Sequence, residues 1–206
     1  MATPRRTRPV QARSKLMVER ILAAATQVLA SHGYDQMSTN RVAEAAGVSV
    51  GSLYRYFSDK DEIFDVLRLR ASDAILQRLT GAIAEAARQP PRAGVRAVVS
   101  SLVAALEEHE AVVRALVNEV PMGTQANVLP EIERGLSTFT RIYVAQQVPQ
   151  MATEEMDARI YLAMGVTLNS CLRIALEKPP ELDAGHLVDL VVDMLVLGLS
   201  PRSISP

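Results

Sequence analysis

Residues 38–60 constrain the fold of this chain more than any other segment, because they contain two short apolar patterns separated by a single glycine. The first pattern places Val42, Ala43 and Ala46 on one face of a helix. Gly47 follows, and glycine adopts the left-handed conformation that ends many helices without steric cost. The segment therefore predicts two short helices that cross closely at this glycine.

The two helices have distinct expected surfaces. Ser38 predicts the start of the first, because its hydroxyl can accept hydrogen bonds from free backbone N–H groups. The second is predicted at about residues 49–57, with Val48 and Leu53 in the angle between the helices. Its remaining side chains include two tyrosines and an arginine, which suit a DNA major groove better than a plain solvent-facing surface. This pattern is typical of a helix-turn-helix element.

The run AEAAGVSVGSLYRYFSDKDEIF, residues 43–64, resembles the signature of the tetracycline-repressor-like (TetR) family of transcription regulators. The apolar pattern of residues 16–33 is similar to that family's first helix. The residues that keep the family register are Gly47, Leu53, Tyr54, Phe57 and Lys60.

The resemblance implies which side chains meet DNA. The expected groove-facing residues are Val50, Gly51, Tyr54 and Tyr56. The expected phosphate contacts are Thr39, Ser52, Tyr54 and Lys60. Hydroxyl and ammonium groups position a protein on DNA without specifying a base sequence, and Arg55 is expected to fill either role. Lys60 also opposes the dipole of the helix that Ser58 or Asp59 caps, which favours a DNA phosphate as its partner outside that helix. Surface neutralisation by Asp59 and Asp61 is the alternative.

The net charge of -1 conceals an asymmetry. Residues 1–60 contain 9 Lys+Arg and 4 Asp+Glu, and residues 61–206 contain the remaining 13 and 19, which gives +5 against -6. A basic first domain joined to an acidic remainder is the pattern of a modular nucleic-acid-binding protein. Residues 1–13, rich in arginine and proline, are predicted to form a disordered basic arm that reaches a minor groove or remains a solvated tail.

Beyond residue 60 the sequence shows no strand pattern, only helical segments separated by prolines. The predicted helices are residues 63–88, 92–108, 111–118, 131–146, 154–177 and 184–199. We predict an all-α protein of about nine helices. A helix-turn-helix domain is expected at residues 14–62 and a helical body for effector binding and dimerisation at residues 63–206.

The last two predicted helices are apolar around too much of their circumference for one side to meet solvent. A second copy would cover the excess, and the resemblance favours this, since TetR-like proteins pair through their last two long helices. Burial within a larger monomeric core is the alternative. The residues expected at the dimer interface are Ile160, Leu168, Cys171, Leu172, Leu187, Leu190, Val191, Met194 and Leu195.

The resemblance also implies that the helical body encloses a small-molecule effector. Adaptable or aromatic candidates for the lining are Met122, Phe139, Tyr143 and Met164. Methionine and aromatic residues at helical spacing are more often ordinary members of the hydrophobic core than part of a ligand site. Aromatic residues are only 4% of the chain and charged residues are sparse in the central helices, which favours an apolar or amphipathic effector.

The sequence contains no constellation that predicts catalysis, a metal or a cofactor. The histidines have no His, Cys or carboxylate neighbours at the spacing of metal ligands, except in residues 107–110. Those four consecutive side chains point in different directions around a helix and cannot converge on one metal ion. Cys171 is the single cysteine, and no export signal is evident. The most apolar stretch, residues 187–199, is too short to span a bilayer. The expectation is a cytoplasmic protein that is neither an enzyme nor bound to a membrane.

We therefore expect a homodimeric transcriptional repressor that binds a palindromic double-stranded DNA operator and is released by a small effector. A transcriptional activator, or a DNA-binding protein that needs no ligand, remains the alternative. A ligand-binding or enzymatic module with a vestigial helix-turn-helix is a remote one.

Overall fold

A computed structural model describes residues 8–118 and 129–199 of the chain. Within these ranges there are nine helices and no strand, which confirms the predicted all-α class. The helices are α1 (Arg8–His32), α2 (Thr39–Ala46), α3 (Val50–Leu53), α4 (Lys60–Ala86), α5 (Pro91–Glu108), α6 (Glu110–Asn118), α7 (Leu129–Gln147), α8 (Thr153–Glu177) and α9 (Ala184–Leu199).

The chain forms two compact units. Of the described residues, unit 1 contains 8–71 and 111–118, and unit 2 contains 72–110 and 129–199. The boundary falls within α4 and differs from the one expected at residue 62. The reason is packing: Ile63 and Phe64 of α4, and Val112 of α6, are buried in the same cluster as α1 and α2.

Helix α1 begins earlier than the sequence suggested. Residues 8–13 are helical, which corrects the expected disordered arm over that part, and residues 1–7 lie outside the described range. Pro9 is compatible with this start, because its missing N–H lies in the first turn, where no intrahelical partner is available. The helix ends at His32 and is followed by Gly33, whose φ of 74° is left-handed.

The turn between α2 and α3 is the predicted one. The Ser38 hydroxyl accepts a hydrogen bond from the Arg41 N–H at 3.3 Å and caps α2. Gly47 has a φ of 62°, its N–H donates to the Glu44 carbonyl at 2.9 Å, and the Val48 N–H donates to the Ala43 carbonyl at 2.9 Å. These two bonds form a Schellman motif, which satisfies the last carbonyls of α2.

Helix α3 is shorter than the expected residues 49–57. It spans only Val50–Leu53, and the chain then continues in turns in which the Tyr56 and Phe57 N–H groups both donate to the Leu53 carbonyl. Aromatic residues have lower helix propensity than straight-chain residues, and three occur between positions 54 and 57. Leu53 and Phe57 are both buried in unit 1, so packing maintains this compact turn.

The core of unit 1 brings together α1, α2, α3, α4 and α6. Its most buried large side chains include Ile21, Met37, Val42, Leu53 and Ile63. At its surface, Arg70 of α4 donates two hydrogen bonds to the Glu19 carboxylate of α1, at 2.6 and 2.7 Å. The Arg70 guanidinium lowers the pKa of Glu19.

Unit 2 is built from α5, α7, α8 and α9 together with the end of α4. The described ends of α4–α9 lie within three residues of the predicted ones. Two ion pairs join α5 to α9: Arg92 to Asp193 and Arg96 to Asp189, each at 2.7 Å. They explain why the apolar α9 carries aspartates four residues apart on one face.

By length and composition, α8 is the one helix in the described part of the chain that could cross a membrane. The core helix of a globular protein meets the same criterion. Met164, Thr167 and Cys171 of α8 are buried inside unit 2, so we describe α8 as a core helix.

Replacing Gly47 should test the left-handed turn. In Gly47→Ala the new Cβ would lie 2.8 Å from Arg20 Nη2 and the residue would keep an unfavourable φ, so we expect a loss of about 1–2 kcal/mol in the free energy of unfolding. Gly51→Ala is the matched control, because no atom lies within 4 Å of the added Cβ. Urea denaturation followed by circular dichroism would measure both, and equal stabilities would contradict the proposed role of the turn.

Candidate nucleic-acid interface

The side chains expected to face DNA differ in exposure. Gly51, Tyr54 and Arg55 are exposed, and 53% of Tyr54 is accessible. Val50 and Tyr56 are half-buried and pack against the core of unit 1, so only part of each is presented outward. The surface of this segment is therefore dominated by one phenol, one guanidinium and an open backbone position at Gly51.

A hydroxyl contact links α2 to the turn after α3. Thr39 Oγ1 lies 3.2 Å from the Tyr54 hydroxyl, and either oxygen can be the donor. Two expected phosphate-contact residues, one from each side of the Gly47 turn, are thus brought together at the surface. Because one of the two hydroxyls donates to the other, the accepting hydroxyl still has its own proton to donate to an anion.

Ser52 has a second task within the fold. Its N–H donates to Ser49 Oγ at 3.1 Å, and the two hydroxyl oxygens are 2.7 Å apart. Ser49 is thereby the N-cap of α3. The Ser52 hydroxyl is half-buried in this capping arrangement, so any phosphate contact from it is shared with a structural role.

Lys60 has a partner inside unit 1. Its Nζ donates to the Tyr34 carbonyl oxygen at 3.2 Å and lies 4.4 Å from the centre of the Tyr34 ring. This carbonyl and the ring face account for a cation at the N-terminus of α4, where the helix dipole alone disfavours it. A DNA phosphate was expected as the partner of this cation, and the structure supplies an internal one.

Tyr34 connects the α1–α2 loop to α4 in a second way. Its hydroxyl donates to Asp61 Oδ1 at 2.6 Å, and its ring packs on Phe64 with centroids 4.6 Å apart. Burial, and then the hydrogen bond to Asp61, raise the pKa of Tyr34, so its proton remains in place. Tyr34 was not predicted from the sequence, because a contact between residues 27 positions apart leaves no periodic signal.

Arg41 is a further exposed cation, and it was not among the predicted DNA-contact residues. It lies on α2, and its Nη1 donates to the Gln36 carbonyl at 2.7 Å. Arg20 of α1 donates to the Gly47 carbonyl at 3.2 Å. Arg20 is therefore bonded directly to the central residue of the turn, whereas Arg41 is bonded to the loop that precedes α2.

The candidate effector residues lie partly together. Phe139, Tyr143 and Met164 line one cavity of about 30 Å³ inside unit 2. Met122 falls outside the described residues. The cavity lies among α5, α7, α8 and α9.

The candidate dimer residues divide by burial. Ile160, Cys171, Val191 and Leu195 are buried inside unit 2, which corrects their assignment to an interface, because their surface is already covered by the same chain. Leu168, Leu172 and Leu187 are half-buried, and Leu190 and Met194 are exposed. Burial also raises the pKa of the Cys171 thiol to about 12, which makes it unreactive at neutral pH.

Exposed apolar side chains that the sequence argument did not select lie on the same two helices. They are Leu162 and Val166, four residues apart on α8, and Leu197 on α9, three residues after Met194. The exposed set therefore follows helical spacing on each helix. In the described ranges, no group of three or more His, Cys, Asp or Glu side chains could hold a metal ion.

An all-helical chain whose first helices form a tight helix-turn-helix, with hydroxyl and cationic groups on its surface, has the architecture of a DNA-binding transcription regulator. A sequence model described as bacterial regulatory proteins of the tetR family matches residues 21–67. The HTH-type transcriptional repressor BepR of Brucella suis is 31% identical over 188 residues, which cover 82% of this chain and 85% of BepR.

Two further comparisons agree. The uncharacterized HTH-type transcriptional regulator YhgD of Bacillus subtilis is 26% identical over 87% of this chain and 95% of its own length. A TetR-like regulator from Rhodococcus sp. RHA1, of known crystal structure, shares the fold with a TM-score of 0.67 at 20% identity, covering 96% of this chain and 98% of that one. The chain belongs to the TetR family of bacterial transcription regulators.

Replacing Lys60 should separate its internal role from a purely DNA-directed one. Lys60→Gln removes the cation over the Tyr34 ring, and we expect the free energy of unfolding without DNA to fall by about 0.5–2 kcal/mol. Lys15→Gln, at an exposed position of α1, is the control and should leave stability unchanged. A Lys60→Gln protein as stable as the parent would show that the internal contact contributes nothing.

Proposed function

We propose that this protein is a homodimeric transcriptional repressor that binds a palindromic DNA operator and is released by a small-molecule effector. The observation that carries the DNA-binding part is the surface formed by Thr39, Tyr54 and Arg55 around the fixed turn at Gly47. It combines phosphate-binding groups with a rigid support, and rigidity is what precise placement on a duplex requires. Repression is supported by BepR, a repressor that resembles this chain over most of its length.

The recognition surface divides into two roles. Tyr54 and Arg55 are long and exposed, so they can reach base edges or phosphates. Gly51 offers a position where the DNA can approach the backbone, since no atom lies within 4 Å of where its Cβ would be. Three further residues are half-buried and already take part in an internal hydrogen bond: Thr39, Ser52 and Lys60. We expect them mainly to position the protein on the DNA backbone.

Dimerisation is supported by the exposed apolar side chains of α8 and α9. Leu162, Val166, Leu190 and Met194 would each lose contact with water against a second copy. A two-fold dimer would also provide two helix-turn-helix elements, one for each of two half-sites that lie one helical turn of DNA apart. This geometry is why we propose a palindromic operator.

Release by an effector is supported by the cavity of unit 2 that Phe139, Tyr143 and Met164 line. Coupling between an effector and DNA is typically worth about 1–3 kcal/mol, and it arises when the two ligands prefer different conformations. We place the protein in the cytoplasm, with its DNA, and assign it no catalytic role. An activator would share this DNA surface, and the operator's position relative to the promoter separates the two.

DNA binding should depend steeply on salt. If each protomer neutralises about three to five phosphates, affinity should fall by about 10³–10⁵ between 50 and 200 mM salt. Fluorescence anisotropy with labelled DNA from upstream of the protein's own gene, against scrambled DNA, would measure this. A salt-independent affinity would contradict DNA binding through phosphate contacts.

Alanine substitutions should show which surface of the protein binds the DNA. Arg55→Ala and Tyr54→Ala should each weaken binding to the preferred DNA by about 5- to 100-fold, the range expected for loss of a base or phosphate contact. Arg88→Ala, which removes an exposed arginine from unit 2, is the control and should bind as the parent does. Equal affinities for all three variants and the parent would place the DNA-binding surface elsewhere.

Charge on the exposed apolar face should dissociate the dimer. Leu190→Glu combined with Met194→Glu is expected to give a monomer at micromolar concentration, because two carboxylates would otherwise be buried unpaired. Leu69→Glu alters a comparably exposed leucine on α4 and should leave the mass unchanged. Light scattering after size-exclusion chromatography would measure the mass, and a persistent dimer of the double variant would exclude this interface.

A further inference from the structure

The cavity of unit 2 has an almost wholly apolar lining. Its residues come from four helices: Val95, Val98, Val99, Leu136, Phe139, Thr140, Tyr143, Ala163, Met164, Thr167, Leu195 and Leu199. None of them is charged. The polar side chains among them are two threonines and one tyrosine.

The two threonine hydroxyls already donate within their own helices. Thr140 Oγ1 donates to the Leu136 carbonyl at 2.9 Å, and Thr167 Oγ1 donates to the Ala163 carbonyl at 2.7 Å. Each can still accept a hydrogen bond but has no second proton to give. Among the described lining residues, Tyr143 is therefore the one side chain that can donate a hydrogen bond to a molecule in the cavity.

Tyr143 is suited to that task. Its hydroxyl makes no hydrogen bond to any residue that the structure describes. Burial raises the pKa of Tyr143, so the phenol keeps its proton at neutral pH and remains a donor. An oxygen atom on an otherwise apolar molecule would satisfy this hydroxyl.

A charged ligand would meet no counter-ion among the described residues that line the cavity. Three ion pairs that link different helices of unit 2, Arg96 with Asp189, Arg92 with Asp193 and Arg141 with Asp157, are exposed and do not line the cavity. Moving a carboxylate or an ammonium group into an apolar site without a partner is strongly unfavourable. The lining therefore selects against both signs of charge.

The cavity must widen to hold a ligand. Its volume of about 30 Å³ suits one or two water molecules, whereas small-molecule sites usually occupy about 300–1,000 Å³. Phe139 and Tyr143, one helical turn apart on α7, are its two half-buried lining residues, and the others are buried. Met164 adds a flexible side chain. The wall formed by α7 is thus the part that can yield with the least disturbance of the core.

We propose that this cavity binds an uncharged, largely apolar molecule carrying one oxygen function, and that the Tyr143 hydroxyl is its hydrogen-bond donor. The inference rests on the proposed function only in calling this molecule the effector. Binding itself can be measured without DNA.

Matched eight-carbon probes test the charge selection on the full chain. 1-Octanol, octanoate and octylammonium would be added at equal sub-micellar concentrations at pH 7.5, and thermal unfolding would be followed by circular dichroism. Octanol at ten times its dissociation constant should raise the Tm by about 3–6 °C, and the two ions should not raise it. Stabilisation by octanoate or octylammonium as large as that by octanol would overturn the proposal.

Removal of one oxygen tests the role of Tyr143. Tyr143→Phe should weaken octanol binding by about 2- to 10-fold, the effect of one lost hydrogen bond, and should leave the binding of benzene unchanged. Tyr161→Phe makes the same change on α8 at a side chain that is 76% exposed and does not line the cavity. It should bind octanol as the parent does. Equal octanol affinity in both variants would remove Tyr143 from the site.

The two proposals fail in different ways. Absence of an octanol effect, with salt-sensitive DNA binding intact, would overturn the inference about the cavity and leave the DNA-binding regulator standing. Octanol binding that depends on Tyr143, without any specific DNA binding, would support the cavity and overturn the proposed function.

Discussion

The left-handed backbone at Gly47 sets the angle between α2 and α3, and the recognition surface of unit 1 depends on that angle. The turn is held by the two Schellman hydrogen bonds that close the end of α2 and by Arg20, which donates to the Gly47 carbonyl. Leu53, fully buried, occupies the angle itself. Because Thr39 and Tyr54 lie on opposite sides of this turn, their contact exists only while the angle is kept.

Local signals predicted the parts of the fold that local forces determine. Prolines and a regular apolar spacing determine the ends of α5 and α7–α9, and the glycine rule determines the turn at Gly47. The length of α3 was mispredicted, because the burial of Phe57, a tertiary effect, overrides a helical pattern that continues through residue 57. The start of α1 was also missed, since a proline among arginines indicates disorder by composition but tolerates a first helical turn.

The site residues could not be predicted fully from the sequence, because the sequence does not show which part of the protein covers a given side chain. Apolar periodicity identified the inward faces of α8 and α9, but it does not distinguish burial by the same chain from burial by a second copy. Cys171 and Val191 belong to the first kind. The ring and carbonyl of Tyr34 beneath Lys60 were missed for a related reason, because they are brought together only by the packing of α4 against the α1–α2 loop.

The assignment of α6 to unit 1 has a consequence for dissecting this protein. Val112 and Ala115 of α6 belong to the same buried cluster as α1 and α2, although some forty residues of unit 2 separate them in sequence from the end of the first segment. A fragment ending near Ala71 would expose the apolar surface that α6 covers. Unit 1, which carries the recognition surface, cannot therefore be produced as one contiguous fragment with a complete core. A cut between α5 and α6 would likewise leave neither half with a complete core.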